Sequence, residues 1–292
     1  MERAKGILYA ALSSSTFGLA PLFTLLLLGL GYSSFEVLSY RWGVASLFLG
    51  ALALLAGRSF RLSWPELRTV FFLSLFRAAT SLSLVIAYQH IASGVASTIH
   101  FMYPLAVALA MMCFFREKGS VWVFAAIGMS IVGAVLLSLG NVDFTRGNTT
   151  LGMVSAAVSV VSYGGYIVGV RKSRAVGIDS TVLTCYVMGL GALYFIAGGL
   201  VTGGIRIETD GTAWLCILGV ALPATAVSNM TLVQAIKRIG PTLTSVFGAL
   251  EPLTAVVIGV AVFGERFTLR IGTGVLLILV AVTLIIAGKS IR

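Results

Sequence analysis

Long apolar runs separated by short clusters of charged residues are the main pattern of this chain. Long runs without Lys, Arg, Asp or Glu include residues 6–35, 119–142, 147–170, 180–205 and 211–236. A helix of about 20 residues crosses roughly 30 Å of hydrocarbon, so each run is long enough to span a bilayer. The pattern predicts an all-α integral membrane protein that has the lipid bilayer as its main partner.

Breaks that are charged or rich in Gly and Pro divide the chain into predicted transmembrane helices. We place ten of them, at residues 6–30, 34–57, 66–88, 93–115, 120–140, 151–170, 179–202, 212–236, 240–263 and 268–288. Composition agrees, because 58% of the 292 residues are hydrophobic and 10% are charged. An ordinary soluble domain has roughly a quarter charged residues.

Basic residues are distributed unequally between the two sides of this arrangement. Of the 20 lysines and arginines, Arg41 and Arg77 lie deep within predicted helices, and four lie at or beyond the helix ends opposite the N-terminus: Arg146, Arg206, Arg266 and Arg270. All the others fall on the N-terminal side. Cytoplasmic loops are enriched in Lys and Arg, so we expect a multi-pass protein of the bacterial inner (plasma) membrane with both termini cytoplasmic. The scattered cations, despite a net charge of +10, do not form a nucleic-acid-binding face.

The two halves of the chain resemble each other at an offset of 146 to 148 residues. Aligned pairs include Gly18 with Gly164, Ser97 with Ser245, Pro104 with Pro252, and Glu117 with Glu265. Each half has five predicted helices, an odd number, so the second copy enters the membrane from the opposite face. The sequence thus predicts two inverted repeats, at residues 1–142 and 147–292.

Each half ends in a related set of residues. In the first half these are Tyr103-Pro104 and Phe115-Arg116-Glu117, and in the second Glu251-Pro252 and Gly264-Glu265. With these residues the chain resembles the drug/metabolite transporter superfamily, in particular its ten-helix exporters with two EamA-type repeats. The stretch from His100 to Pro104 is similar to the aromatic amino acid exporter branch. The resemblance implies export of small metabolites, in a family whose members carry amino acids, purines, nucleotide sugars or cationic drugs.

Three charged side chains are predicted to lie inside the membrane. Glu251 lies about 17 Å along its predicted helix, and Arg77 and Arg41 are also deep. Because a charge facing hydrocarbon is costly, all three must face the bundle interior, a cavity or one another. In one interpretation an arginine binds a substrate carboxylate and Glu251 binds its ammonium. The alternative is a fixed structural pair of Arg77 with Glu251 or with a free helix carbonyl.

Other candidate substrate-binding residues lie near the same depth. His100, one turn from Tyr103, is a candidate ligand or proton site, with a packing histidine as the alternative. Aromatic rings can stack on an aromatic or cationic ligand, and the candidates are Phe17, Tyr103, Tyr163, Tyr166 and Phe247. The repeat adds Ser97 and Ser245. We expect these residues to line a central cavity that solvent reaches.

Four of the six prolines fall within predicted helices: Pro21, Pro104, Pro223 and Pro252. Each proline removes a backbone donor and bends or breaks a helix. Such breaks are tolerated in a membrane where protein or a cavity covers them. We predict gating or kink roles for these positions, with ordinary membrane-helix prolines as the alternative.

Our leading interpretation is a transporter that exports small metabolites, above all aromatic or hydrophobic amino acids, by alternating access between the repeats. A multidrug or cation exporter and a non-catalytic channel are the alternatives. An intramembrane hydrolase is disfavoured because the sequence has two histidines, His90 and His100, and no G-x-S-x-G elbow. We expect no enzymatic activity, catalytic residue, metal or cofactor. The oligomeric state is open, with a monomer as one option.

The inverted repeat makes a direct prediction about sidedness. In a variant without native cysteines, Arg116→Cys and Gly264→Cys are expected to react with membrane-impermeant thiol reagents from opposite sides of the membrane. Labelling of right-side-out and inside-out vesicles measures this. Reaction of both positions from one side contradicts the inverted repeat.

Overall fold

In the computed structural model, which describes residues 2–138, 147–254, 257 and 268–288, every regular element is a helix or helical turn. In chain order the helices are α1 (Glu2–Phe17), α2 (Ala20–Gly29), α3 (Ser34–Leu55), α4 (Trp64–His90), α5 (Ser93–His100), α6 (Tyr103–Phe115), α7 (Val121–Ser138), α8 (Thr149–Lys172), α9 (Ser180–Thr202), α10 (Gly211–Ala221), α11 (Ser228–Ile239), α12 (Pro241–Val246) and α13 (Leu269–Gly288). A π-helical turn, Leu222–Val227, joins α10 to α11. Shorter 3₁₀ turns occur at Arg174–Gly177 and Phe247–Ala249.

Seven helical segments of the described chain are long and apolar enough to cross a membrane. They are Glu2–Gly29, Ser34–Leu55, Trp64–His90, Val95–Phe115, Thr149–Lys172, Ser180–Thr202 and Gly211–Ile239. Two shorter apolar helices, Val121–Leu137 and Leu269–Leu284, correspond to the predicted spans 120–140 and 268–288. In the predicted span 240–263, residues 255, 256 and 258–263 lie outside the described residues, as do Gly264 and Glu265.

Polar side chains at the breaks explain where several helices begin. At the start of α3, Glu36 N–H donates to Ser33 Oγ at 3.2 Å, and Ser33 N–H donates to the Glu36 carboxylate at 2.8 Å. Asp210 accepts in the same way from Ala213 N–H at 2.8 Å, at the start of α10. These bonds satisfy backbone donors that have no partner within the helix. In α3 and α10, a polar side chain just before the apolar run therefore determines where the helix begins.

Helical regularity changes beside each of the four prolines that were predicted to lie within helices. Pro21 follows a break at residues 18–19, Pro104 follows a break at residues 101–102, Pro223 lies in the π-helical turn, and Pro252 follows the 3₁₀ turn. A proline has no backbone N–H to donate to the helix, so the local hydrogen-bond pattern shifts or stops there. Whether these positions move in gating stays a prediction.

Glycines allow the main helices to approach closely. The most extensive contacts join α3 to α9, α4 to α8, α7 to α13 and α1 to α11. At Gly191 of α9, an added Cβ would lie 2.1 Å from the ring of Trp42, which is 1% exposed. Likewise, Gly133 of α7 lies against Gly274 of α13. Without a hydrophobic driving force between helices in lipid, such small residues provide the close packing that holds them together.

Polar contacts group the helix ends into two faces. At the N-terminal face, Glu2 pairs with Arg238 at 3.1 Å and Arg58 pairs with Asp179 at 3.6 Å. At the opposite face, Arg206 pairs with Glu36 at 3.2 Å and Asn148 N–H donates to His90 at 3.2 Å. The four ion pairs among the described residues therefore lie at helix ends, whereas the middle of the bundle contains the buried arginines.

The glycine contact at Trp42 predicts a localised packing defect. Gly191→Ala would push a methyl group into the buried indole, and overpacking of this kind costs about 1–3 kcal/mol. We expect a lower midpoint of thermal unfolding in detergent.

The matched control is Gly43→Ala, because Gly43 lies on α3 with nothing within 4 Å of an added Cβ. Alanine is a better helix former than glycine, so this control should leave the midpoint unchanged or raise it. Equal behaviour of the two variants would mean that the Trp42 contact is wrong.

Candidate functional site

Arg77 lies at the centre of the bundle on α4 and is 1% exposed. Its Nε–H donates to Asn229 Oδ1 at 2.8 Å. The guanidinium carbon lies 5.0 Å from the ring centroid of Tyr163 and 5.4 Å from that of Phe17, which are cation–π distances. Its Nη1 is buried and has no hydrogen-bond partner among the described residues. The Arg77 guanidinium is thus held through its Nε–H, and its Nη1 group remains available to donate a hydrogen bond.

Arg41, on α3, repeats this arrangement from a neighbouring helix. Its Nε–H donates to Thr225 Oγ1 at 2.6 Å, and its guanidinium carbon lies 5.8 Å from the Phe17 ring centroid. Within the described chain its buried Nη2 also lacks a partner. Arg41 and Arg77, the arginine pair, therefore approach the same phenylalanine ring, each with one unused buried donor.

The anchors of the arginine pair belong to one short segment at the π-helical turn. Thr225 Oγ–H donates to the Val220 carbonyl at 2.7 Å, and the Asn229 amide donates to the Thr225 carbonyl at 2.8 Å. These donors are satisfied within their own segment, so the side-chain oxygens are available as acceptors. Pro223 lies in the same turn, where it cannot supply a backbone donor. We call Thr225 and Asn229 the anchor residues.

No carboxylate within the described residues forms an ion pair with Arg41 or Arg77. The alternative of a fixed Arg77–Glu251 pair is therefore not found in this part of the chain. The physical reason is that Asn229 takes the Arg77 Nε–H, while Tyr103 O–H donates to Glu251 Oε1 at 3.3 Å.

Aromatic rings surround the arginine pair on one side. Tyr163 stacks on Phe17 with ring centroids 6.3 Å apart and meets Tyr103 edge-on at 4.6 Å. His100 stacks on Tyr163 at 5.3 Å. Tyr166 also faces Arg77, with its ring centroid 6.0 Å from the guanidinium carbon. The ring group, Phe17, His100, Tyr103 and Tyr163, brings together residues from four separate helices.

The hydrogen bonds of His100 define its tautomer. Its Nδ1 lies 2.8 Å from Ser159 Oγ, and Ser159 uses its only hydroxyl hydrogen on the Ala156 carbonyl at 2.6 Å. His100 Nδ1 must then carry the hydrogen of this bond. In the part of the chain that the structure describes, the buried Nε2 has no partner, and in a neutral ring it is an acceptor.

Three other predicted site residues make their contacts outside the ring group. Ser97 Oγ is 3.5 Å from the Tyr88 hydroxyl, and Ser245 O–H donates to the Thr242 carbonyl. Phe247 packs in a different apolar cluster that includes Ala10. The structure thus brings Phe17, Arg41, Arg77, His100, Tyr103, Tyr163 and Glu251 together, and places Ser245 and Phe247 in packing roles.

Sequence reasoning missed Thr225, Asn229 and Gly248. The two anchor residues are polar positions within an apolar run, four residues apart and close to Pro223, which was an available signal. Gly248 lies against Tyr103, where an added Cβ would sit 1.7 Å from the phenol oxygen. A glycine is needed there for Tyr103 to reach Glu251.

The space at the centre is small in this conformation. A cavity of about 20 Å³ lies beside Arg41, lined by Phe17, Thr24, Arg41, Ser81 and Tyr88 with Ala20, Leu84 and Val85. Such a volume admits little more than a water molecule. In this conformation the cavity beside Arg41 is therefore too small for an amino acid, and Phe17, one of its lining residues, is stacked on Tyr163. Among the described residues no group of three His, Cys, Asp or Glu side chains could hold a metal ion.

Comparison with known proteins agrees with the arrangement of the chain in two parts. Residues 4–139 and 150–287 each match the model of the EamA-like transporter family. The uncharacterized transporter YojE of Bacillus subtilis is 26% identical over 283 residues, covering 91% of this chain and 88% of its own length. An uncharacterized transporter of Archaeoglobus fulgidus is 25% identical over 223 residues, covering 76% of this chain and 77% of its own length.

A protein of known crystal structure has a similar fold. It superposes with a TM-score of 0.79 at 18% sequence identity, covering 97% of this chain and 95% of that chain. At this identity the likeness concerns the fold alone.

The anchor of Arg77 predicts non-additive effects on stability. Asn229→Leu would leave the buried Arg77 Nε–H without an acceptor, and a lost hydrogen bond to a charged group costs about 1.5–3 kcal/mol. We expect a clear fall in the thermal midpoint.

Combining Asn229→Leu with Arg77→Met should cost less than the sum of the two single changes, because both partners are then removed. A double-mutant cycle of thermal midpoints in detergent measures the difference. Additive effects would show that the two side chains do not interact.

Proposed function

Because the chain belongs to the EamA-like transporter family and is a multi-pass membrane protein, we propose that it exports small metabolites, with aromatic or hydrophobic amino acids as substrates. The observation that carries this proposal is the arginine pair, which lies beside aromatic rings and has two buried donors with no partner among the described residues. In low-polarity surroundings an unsatisfied donor is costly unless a ligand or water binds it. A substrate carboxylate supplies the acceptors that are lacking.

The ammonium of an amino acid also has candidate acceptors at this site. Glu251 Oε1 accepts from Tyr103, and a carboxylate has room for further hydrogen bonds. The buried His100 Nε2, which has no partner in the described part of the chain, is a second candidate acceptor. The ammonium and carboxylate of an amino acid share the α-carbon, so a substrate carboxylate at the arginine pair would direct its ammonium toward the Tyr103 and Glu251 side, and Tyr163 or Phe17 would stack on an aromatic side chain.

The same charges disfavour the cation-exporter alternative. Two arginines repel a bare cation, while Glu251 is the one carboxyl that touches the ring group through a described contact. A zwitterion satisfies both signs of charge. A channel is less favoured because the cavity beside Arg41, about 20 Å³, is too small for such a solute to pass in this conformation.

The pairing of helices supports an inverted ten-helix arrangement. If each predicted helix in the first half has its counterpart five helices later, a twofold axis exchanges the contact between predicted helices 1 and 8 with the contact between predicted helices 3 and 6. The same axis maps the contact between helices 2 and 7, and the contact between helices 5 and 10, onto themselves. The four most extensive contacts are these four: α1 with α11 (helices 1 and 8), α4 with α8 (3 and 6), α3 with α9 (2 and 7) and α7 with α13 (5 and 10). Alternating access in such repeats consists of rocking one part against the other around a fixed site.

The closed centre and the interrupted helices are consistent with that cycle. An amino acid cannot fit in the present cavity, so transport requires the helices beside Arg41 to separate. We assign the bending to the interruptions at Pro21, Pro104, Pro223 and Pro252. The excess of basic residues at the N-terminal face supports an inner-membrane orientation with both termini cytoplasmic.

The decisive variants are Arg41→Gln and Arg77→Gln in purified protein reconstituted into liposomes. Each removes a charged donor worth about 1.5–3 kcal/mol, so transport of labelled phenylalanine at low concentration should fall about tenfold or more. Arg61→Gln, at an exposed loop position, is the matched control and should transport like the unmodified protein.

Ligand competition separates the candidate substrates. The 2-oxo acid phenylpyruvate retains the carboxylate and should compete with phenylalanine, whereas the amine phenethylamine should compete poorly. Competition by the amine alone would favour the cation exporter. Unchanged transport in both arginine variants would refute the proposed site.

A further inference from the structure

An apolar groove lies on the outward side of α4, facing away from the arginine pair. It has a volume of about 380 Å³ and is lined by Trp64, Leu67, Arg68, Phe71, Phe72 and Leu190. The inward side of the same helix buries Val70, Leu73, Ser74 and Arg77. The groove between α4 and α9 is therefore a separate site, of a size typical for small-molecule sites in proteins.

One charged side chain borders this groove. Arg68 is exposed and has no ion-pair or hydrogen-bond partner among the described residues, although Glu66 is close in sequence. The Glu66 carboxylate contacts Ser63 at the start of the helix instead, where its Oε2 accepts from Ser63 N–H at 2.7 Å and from Ser63 O–H at 2.6 Å. The nearby Arg58 is paired with Asp179. Arg68 thus remains free to bind an anion from outside the protein.

The order of residues along the groove matches the layers of a membrane leaflet. Trp64 begins α4 at the N-terminal face, and Phe72 lies about 12 Å further along the helix at 1.5 Å per residue. Tryptophan is enriched at the membrane–water interface, and arginine near a helix end extends its charged group toward the headgroups. The phenylalanines and Leu190 then lie at the depth of the first acyl carbons.

We propose that this groove binds one phospholipid with an anionic headgroup. Arg68 binds the phosphate region, Trp64 lies at the glycerol level, and an acyl chain fills the space between Phe71, Phe72 and Leu190. Basic side chains beside apolar clefts between membrane helices are suited to such lipids. A second copy of the chain fits less well, because a twofold contact through this groove would bring two Arg68 side chains together.

Native mass spectrometry of the purified full-length protein in detergent tests this proposal. The probe is an equimolar mixture of phosphatidylglycerol and phosphatidylcholine with identical acyl chains. We expect one preferred phosphatidylglycerol adduct, and Arg68→Gln should reduce that preference about fivefold, the effect expected of one arginine beside an anionic surface. Lys118→Gln removes an equal charge from an exposed position outside the groove and should retain the preference.

A second variant tests the groove itself. Leu190→Trp fills the space between α4 and α9 and should weaken binding of both lipids. Equal binding of the two lipids by the unmodified protein, or equal behaviour of the Arg68 and Lys118 variants, would overturn the proposal. A lipid-free dimer that Leu190→Trp abolishes would also overturn it, in favour of a second copy. If Leu190→Trp does not fold, the comparison of the other two variants still decides.

Discussion

The structure depends on the burial of two guanidinium groups within a bundle of apolar helices. A charged side chain at the centre of a bilayer costs at least about 2.5–3.5 kcal/mol even on insertion scales. Arg41 and Arg77 reduce that cost by donating Nε–H to Thr225 and Asn229 and by lying against aromatic rings. Because lipid offers none of these partners, the helices that carry them must converge at the centre.

The anchoring also joins the two parts of the chain. The arginines lie on α3 and α4, whereas both anchor residues lie at the π-helical turn and the start of α11. A shift of that turn relative to α3 and α4 would change the positions of both guanidinium groups at once. Single-turn π-helices often occur at functional sites, and this one includes a proline that weakens local helical bonding. One short segment thus holds both guanidinium groups of the site.

Much of the architecture follows from the sequence because lipid imposes simple rules. Long apolar runs must be helices, and the depth of Arg41 and Arg77 within the predicted helices implied that both avoid the surface; both are buried. Family membership likewise agrees with the resemblance of the repeated motifs, while the aromatic exporter branch stays a hypothesis.

Side-chain partners were harder to predict. Asn229 is separated from Arg77 by 152 residues in sequence, and Thr225 is separated from Arg41 by 184. Their meeting depends on helix rotation and crossing positions, which an apolar run does not encode. The pair of Arg77 with Glu251 looked plausible from charge alone, yet an amide takes that place. Phe247 had the expected depth but faces another cluster, because depth does not specify direction.

The central claim is that the free donors of Arg41 and Arg77 bind the substrate carboxylate. A high-resolution structure of the protein with bound phenylalanine measures this directly. The account predicts carboxylate oxygens within hydrogen-bond distance of Arg41 Nη2 or Arg77 Nη1, with the substrate ring against Phe17 or Tyr163. A substrate bound elsewhere, with both guanidinium groups still without an anionic partner, would contradict it.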